Sequence, residues 1–327
     1  MTNNNAPAAI RVHGLRKSYG QQVVLDGIDF DVAQGSVFSL LGPNGAGKTT
    51  TVQILSTLIP ADAGRVQVGG HDLSREPDAV RAAIGVTGQF SAVDKFLTGE
   101  ENLILMADLR HMGKRAGRLR AAELLDQFDL ADAARKAVAM YSGGMQRRLD
   151  LAMTLVGDPR IIFLDEPTAG LDPRSRRTMW QIVRSLVASG VTIFLTTQHL
   201  EEADELADRI AVLDHGTLVA QGSAAELKRL VPGGHISLEF GDATALDRAA
   251  QILAPTSRDD DALTLQLPGG GDVGSLKSVL DRLDQAGIEV DGLTVHTPDL
   301  DDVFLALTGQ PEVRPEPRPQ AQEAIAR

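Results

Sequence analysis

In SVFSLLGPNGAGKTTTVQILSTL, residues 36–58, an apolar run meets a glycine-rich loop and then a helical pattern. Residues 36–41 read as a buried strand, and GPNGAGKT, residues 42–49, has the spacing G-x-x-x-x-G-K-[ST] of a strand-to-helix phosphate loop. Glycines let the backbone curl until its N–H groups ring a phosphate. Lys48 adds a point charge, and Thr49 offers a hydroxyl to Mg²⁺. The cradle expected from this stretch comprises Gly42, Pro43, Asn44, Gly45, Ala46, Gly47, Lys48, Thr49 and Thr50.

Working outward, RIIFL (160–164), VTIFLTT (191–197) and RIAVL (209–213) are further apolar runs alternating with helical patterns, which predicts an α/β fold with a mostly parallel sheet. Ile28, Phe30 and Val32 alternate instead, as an antiparallel strand with one wet face does. The run at 160–164 ends in Asp165 and Glu166, where ligands of parallel sheets collect. Asp165 suits Mg²⁺ through its water shell, and Glu166 suits a proton acceptor for an attacking water. From about Thr98 to Met140 the strand signals stop, and ENLILMADLRHM and AAELLDQFDLADAARKAVAM carry apolar positions at helical spacing. A helical subdomain over about 90–157 is expected.

After VPGG (231–234) the pattern restarts as a small C-terminal α/β domain, 235–309, behind a core of 10–230. Residues 1–9, and 310–327 with their proline, glutamine and charge, have little to bury and are expected to be disordered. With 44 acidic against 32 basic residues, the net charge of -12 opposes binding to nucleic acid. The absence of cysteine removes disulfides and thiolate zinc sites, as suits a reducing cytosol. No run of eighteen apolar residues is present, so a membrane role requires a separate partner.

A second glycine-rich loop opens a helix at YSGGMQRRLDLAM, residues 141–153. Ser142, Gly143 and Gly144 present free N–H groups and a positive helix end, which is another anion site. One nucleotide needs one cradle, so the second loop serves the nucleotide of another copy, and two chains facing head to tail would each cap the other's ligand.

GPNGAGKT, VTGQF, YSGGMQRR, IIFLDEP, AGLD and the histidine of TTQHL stand in the order found in ATP-binding subunits of ABC transporters, which the chain resembles over about 10–230. Small GTPases share the cradle but need an N-K-x-D motif, which does not occur here. The resemblance implies a P-loop NTPase core with antiparallel and helical subdomains, ATP and Mg²⁺ as ligands, and a homodimer of ATPase domains when ATP is bound. It implies stacking of Tyr19 on adenine, Gln89 at the metal or attacking water, His199 as a donor to the γ-phosphate, Ser142 and Gly144 reaching across the interface, and Asp172 communicating across the dimer. The second loop departs from L-S-G-G-Q in having Tyr141 and Met145 at its ends, with Gln146 one place later.

VTGQFSAVDKFLTGEENL, LDEPTAGLDPRSR, TTQHLEEADELADRIAVLDHG and PDLDDVFLALTG are similar to the ATPase subunits of daunorubicin-resistance-type drug exporters. That likeness implies efflux of a drug-like or amphipathic compound through a separate transmembrane permease, with this chain peripheral on the cytoplasmic face of the membrane. FSAVDKFLTGEENL, residues 90–103 and including Phe90 and Phe96, is the expected coupling surface. A related ATPase that clamps nucleic acid or ribosomes is the competing expectation, opposed by the lack of coiled-coil arms or a second cassette. Residues 235–309 follow a complete core and are expected to regulate or assemble it. Deleting them should leave ATP titrations unchanged while sedimentation shows weaker dimer or permease association.

Overall fold

The computed structural model describes residues 8–88, 92–231, 234–268, 273–296 and 298–309. Two compact units divide the chain, the first ending at Arg229 and the second beginning at Leu230. Of the proline-glycine stretch at 231–234, Pro232 and Gly233 lie outside the described residues.

In the first unit, β1 (Ala8–Tyr19) starts two residues before the expected boundary and pairs antiparallel with β2 (Gln22–Ala33). There follow β3 (Val37–Leu41), α1 (Lys48–Leu55), β4 (Ala63–Val68), β5 (His71–Asp72), α2 (Pro77–Ala83) and β6 (Ile84–Thr87). The helical insertion supplies α3 (Gly99–Leu109), α4 (Lys114–Gln127) and α5 (Gly143–Thr154). The chain then runs through β7 (Ile161–Asp165), α6 (Pro173–Ala188), β8 (Thr192–Thr197), α7 (Leu200–Leu206), β9 (Arg209–Asp214), β10 (Thr217–Gly222) and α8 (Ala224–Lys228).

The central sheet has the order β10-β9-β3-β8-β7-β6 and is parallel except where β10 meets β9. Every residue of β3, β7 and β8 is buried, as the middle of a sheet covered on both faces requires. A second sheet, β2-β1-β4-β5, is antiparallel throughout, and buried Ile28, Phe30 and Val32 alternate along β2 as expected. Four phenylalanines weld the two sheets together. Phe30 of β2 stacks on Phe38 of β3 at 5.1 Å, Phe38 on Phe194 of β8 at 5.5 Å, and Phe194 meets Phe163 of β7 at 5.6 Å.

Helical periodicity over 121–140 overran the helix that forms. Helix α4 stops at Gln127, Asp129 turns left-handed at φ 53°, and two short 3₁₀ turns at Ala131–Ala133 and Val138–Met140 follow. Phe128, Leu130, Ala133 and Val138 are nevertheless buried, so the apolar positions serve a core without a continuous helix. Arg148 of α5 donates to the carbonyls of Phe128 at 2.8 Å and Asp129 at 3.2 Å, satisfying groups that the helix end leaves open. Thr98 and Glu101 form a capping box at the start of α3.

The second unit comprises β11 (His235–Glu239), α9 (Ala243–Leu253), β12 (Ser257–Asp259), β13 (Thr264–Pro268), α10 (Val273–Ala286), β14 (Gly292–His296) and α11 (Leu300–Thr308). Its antiparallel sheet, β12-β13-β11-β14, contributes Ile236, Leu238, Leu265 and Leu267 to a core closed by Leu246, Leu253 and Leu283. Strand β12 was not legible in the sequence because all three of its residues are exposed.

The four-ring contact is testable. Phe194→Ala removes the ring that meets Phe38, Phe163 and, at 5.8 Å, Phe30, and chemical denaturation should register a loss of about 3–5 kcal/mol.

Candidate active site

The loop between β3 and α1 is shaped by three glycines for different reasons. Gly45 has φ 83° in open space, so only its backbone angle matters. Gly42 has an ordinary angle, but a Cβ there would fall 2.2 Å from the Leu213 carbonyl oxygen of β9. Gly47, the N-cap of α1, has φ 111°, and its Cβ would meet Leu25 at 2.7 Å and the Val24 carbonyl at 2.9 Å. Strand β2 is therefore pressed against the cradle. Lys48 turns its ammonium onto the loop's own carbonyls, at 2.8 Å from Gly42 O and 3.1 Å from Pro43 O.

Asp165 is the last residue of β7, and Glu166 follows at φ 48°, a left-handed turn costly for a residue with a Cβ. Its N–H donates to the carbonyl of Thr196 at 3.1 Å and to the same residue's hydroxyl at 3.2 Å. That hydroxyl also donates to Asp165 Oδ1, so the end of β8 holds both acids. The Thr49 hydroxyl lies 3.4 Å from Asp165 Oδ1, and Glu166 Oε1 lies 3.5 Å from Lys48 Nζ. Burial pushes the Lys48 ammonium below its ordinary pKa, opposed by the charges of Glu166 and Asp165. A cavity of about 360 Å³, the size of a small-molecule site, is lined by Val24, Asn44, Gly45, Gly47, Lys48, Thr49, Thr50 and Glu166.

Ser142, Gly143 and Gly144 do not line that cavity. Ser142 is exposed and N-caps α5 by accepting from Met145 N, Gly143 is exposed, and Gly144 is buried where a Cβ would strike Ser175 Oγ at 2.5 Å. Tyr141 anchors the loop from below, donating to the Ala133 carbonyl at 2.8 Å. Gln146 turns inward, to the carbonyls of Tyr141 at 3.2 Å and Val138 at 3.4 Å, so it caps the loop's root and leaves Ser142 and Gly143 as the outward groups.

Tyr19 closes the β1–β2 hairpin against Gln22; its ring is 51% exposed and 5.5 Å from the Lys17 ammonium. His199 N-caps α7, and its N–H donates to the Thr197 hydroxyl at 2.9 Å; the Thr197 carbonyl in turn accepts from Gly42 N. Asp172 caps α6, accepting the N–H groups of Arg174 and Ser175 at 3.0 Å, and the Ser175 hydroxyl holds its carboxyl below the usual carboxylate range. Gln89, together with Phe90, falls outside the described residues. Phe96, from the expected coupling surface, is 95% exposed and is no core residue. Sequence reasoning missed Thr196, buried Glu202 and Arg147. Burial raises the carboxyl of Glu202 above its ordinary pKa, and it accepts from the Trp180 indole at 3.2 Å. Nothing in the local sequence singled these residues out.

The ABC transporter family model matches residues 25–169. The chain is 51% identical to the daunorubicin resistance ATP-binding protein DrrA3 of Streptomyces coeruleorubidus, across 93% of this chain and 97% of that protein. It is 40% identical to the Nod factor export ATP-binding protein I of Paraburkholderia xenovorans, across 93% and 98% respectively. Among solved structures, a nucleotide-free ATP-binding cassette from an ABC transporter superposes with a TM-score of 0.63 at 25% identity, over 68% of this chain and 94% of that one. A dimeric cassette in a post-hydrolysis state with ADP and Pi gives 0.60 at 26% identity, over 65% and 98%.

The cradle's two left-handed glycines should respond differently to a methyl group. Gly45→Ala carries only the backbone penalty, about 1–2 kcal/mol, whereas Gly47→Ala adds the collision with Leu25 and Val24 and should unfold at clearly lower denaturant. Equal midpoints for the two variants would contradict the packing of β2 on the loop.

Proposed function

Because the chain belongs to the ABC transporter ATP-binding family, we propose that it is the ATP-binding and ATP-hydrolysing subunit of an exporter. It works at the cytoplasmic face of the membrane with a separate permease through which a drug-like or amphipathic compound leaves the cell. The observation that carries this reading is the meeting of the glycine cradle, Lys48 and Glu166 in one cavity. Relatives named for daunorubicin resistance and Nod factor export support the direction of transport and the bulky character of the cargo. They also disfavour a nucleic-acid or ribosome clamp, as does the net charge of -12. Among the described residues no helix is long and apolar enough to cross a membrane, which fits a peripheral subunit.

Phosphoryl transfer asks a protein mainly for position and charge. The N–H groups of the cradle and Lys48 hold the β- and γ-phosphates. Thr49 and Asp165 are an all-oxygen pair of the kind that shares Mg²⁺ with phosphates, and Gln89 is the further expected donor. Mg²⁺, when bound, neutralises charge that develops on the phosphates. Glu166 accepts the proton of the attacking water, and His199 donates to the γ-phosphate. Tyr19, exposed at its hairpin, stacks on adenine.

Ser142, Gly143 and Gly144, with the first N–H groups of α5, cap the nucleotide of a second copy, and Asp172 lies at the same seam. Such a pair closes because ATP binds the closed state more tightly than the open one, and it opens when the γ-phosphate contacts are lost.

Glu166→Gln should retain ATP binding, lower kcat by about 100-fold or more, and accumulate as a dimer at saturating ATP. Lys48→Ala should bind nucleotide weakly and stay monomeric. Light scattering with and without ATP, repeated with the permease, decides the matter: a Glu166→Gln chain that remains monomeric in both settings contradicts the shared site.

A further inference from the structure

Helix α5 carries, one turn beyond Gly144, a side chain whose partners are unusual. The Arg147 guanidinium donates from Nε to the Pro167 carbonyl at 3.0 Å, and from Nη2 to the carbonyls of Asp165 at 3.0 Å and Glu166 at 3.2 Å. Its Nη1 donates to the Gly88 carbonyl at 2.8 Å and to Asp150 Oδ2 at 3.3 Å. Asp150, 3% exposed and one turn further along α5, uses its other oxygen to accept the Ala92 N–H at 3.0 Å. The planar fork therefore ties the exit of β6 and the turn that carries both acids to the helix, and Asp150 ties the chain at Ala92 to it.

The chemistry of the tie argues against a merely decorative role. Arg147 is largely withdrawn from water, so its charge is held by the carboxylate of Asp150 and by oriented carbonyl dipoles. Five N–H donors in a fixed plane can reach four carbonyls at once, which an ammonium cannot reproduce. Glu166 also sits at a left-handed φ that the local chain does not favour. Its backbone is pinned on both sides, by Thr196 on the N–H and by Arg147 on the carbonyl.

We propose that Arg147, braced by Asp150, is a positioning residue that transmits the placement of α5 and of the Ala92 segment to the Glu166 carboxylate. This rests on the reading above, in which the start of α5 meets the second copy's nucleotide. When residues 142–144 seat on that nucleotide, α5 settles, and Arg147 sets the turn at Asp165–Pro167 so that Glu166 takes its working place. An unseated helix leaves the base misaligned, so hydrolysis waits for the pair to close. Misplacing a reacting group by about 1 Å can cost on the order of 100-fold in rate, so a tie of this kind is a sufficient control.

The test uses the full chain with its permease and ATP. Arg147→Lys, which keeps the charge and loses the fork, should lower kcat roughly 10- to 100-fold while KM for ATP stays within about twofold, because residues 42–50 are untouched. Added to Glu166→Gln, it should leave the ATP-driven dimer in place. Asp150→Asn, which keeps the shape and an acceptor for Ala92 N–H, should give the same split to a smaller degree. It decides the question if Arg147→Lys fails to fold. Wild-type kcat in Arg147→Lys, or kcat and KM shifting together in the folded variants, overturns the inference. Loss of ATP-driven pairing in Glu166→Gln alone overturns instead the shared-site reading beneath it.

Discussion

Lys48 is only 5% exposed, and its Nζ lies between the carbonyls of its own loop and the carboxylate of Glu166. A buried ammonium without such partners would be expelled or neutralised. Everything at the site is arranged around that constraint. Gly42 lets the loop pass under β9, Gly47 lets β2 close against it, and the ends of β7 and β8 bring two carboxylates to face the cation. Because β3, β7 and β8 are parallel neighbours, all three deliver their C-terminal ends to one edge, which is where such sheets hold ligands.

The first unit presents two glycine-rich loops, at 42–50 and 142–144, that do not share a cavity. Lys48, Thr49 and Glu166 line one, while Ser142 and Gly143 stand exposed at the start of α5. Separation of this kind is what a shared site between two copies needs, since a loop that served its own nucleotide would line its own cavity. The buried side of the second loop is firmly built: Tyr141, Gln146 and Arg148 spend their donors on carbonyls of the helical insertion, and Gly144 packs on Ser175.

Gly42–Thr50, the strand before it and the helix after it were readable because their signals are local: glycine spacing, an apolar run and a lysine at a set distance. The adjacent acids Asp165 and Glu166 gained meaning from that loop and stand beside it. Less was legible where burial and helical periodicity part company, as at 128–138, where a left-handed Asp129 and two 3₁₀ turns fill the core without continuing α4. Strand β12 carried no apolar pattern at all.

By itself the sequence determined the α/β character, the cradle, the acid pair and the presence of a second helix-opening loop, since each depends on residues within about a turn or a strand of one another. Tertiary structure alone decided what Arg147 does, because its carbonyl partners lie 18, 19, 20 and 59 residues away and meet only when β6, β7 and α5 pack together. It likewise decided that Thr196 holds both acids from the neighbouring strand. Carbonyls have no letter in a sequence; which one a buried guanidinium will find depends on where the fold carries the backbone.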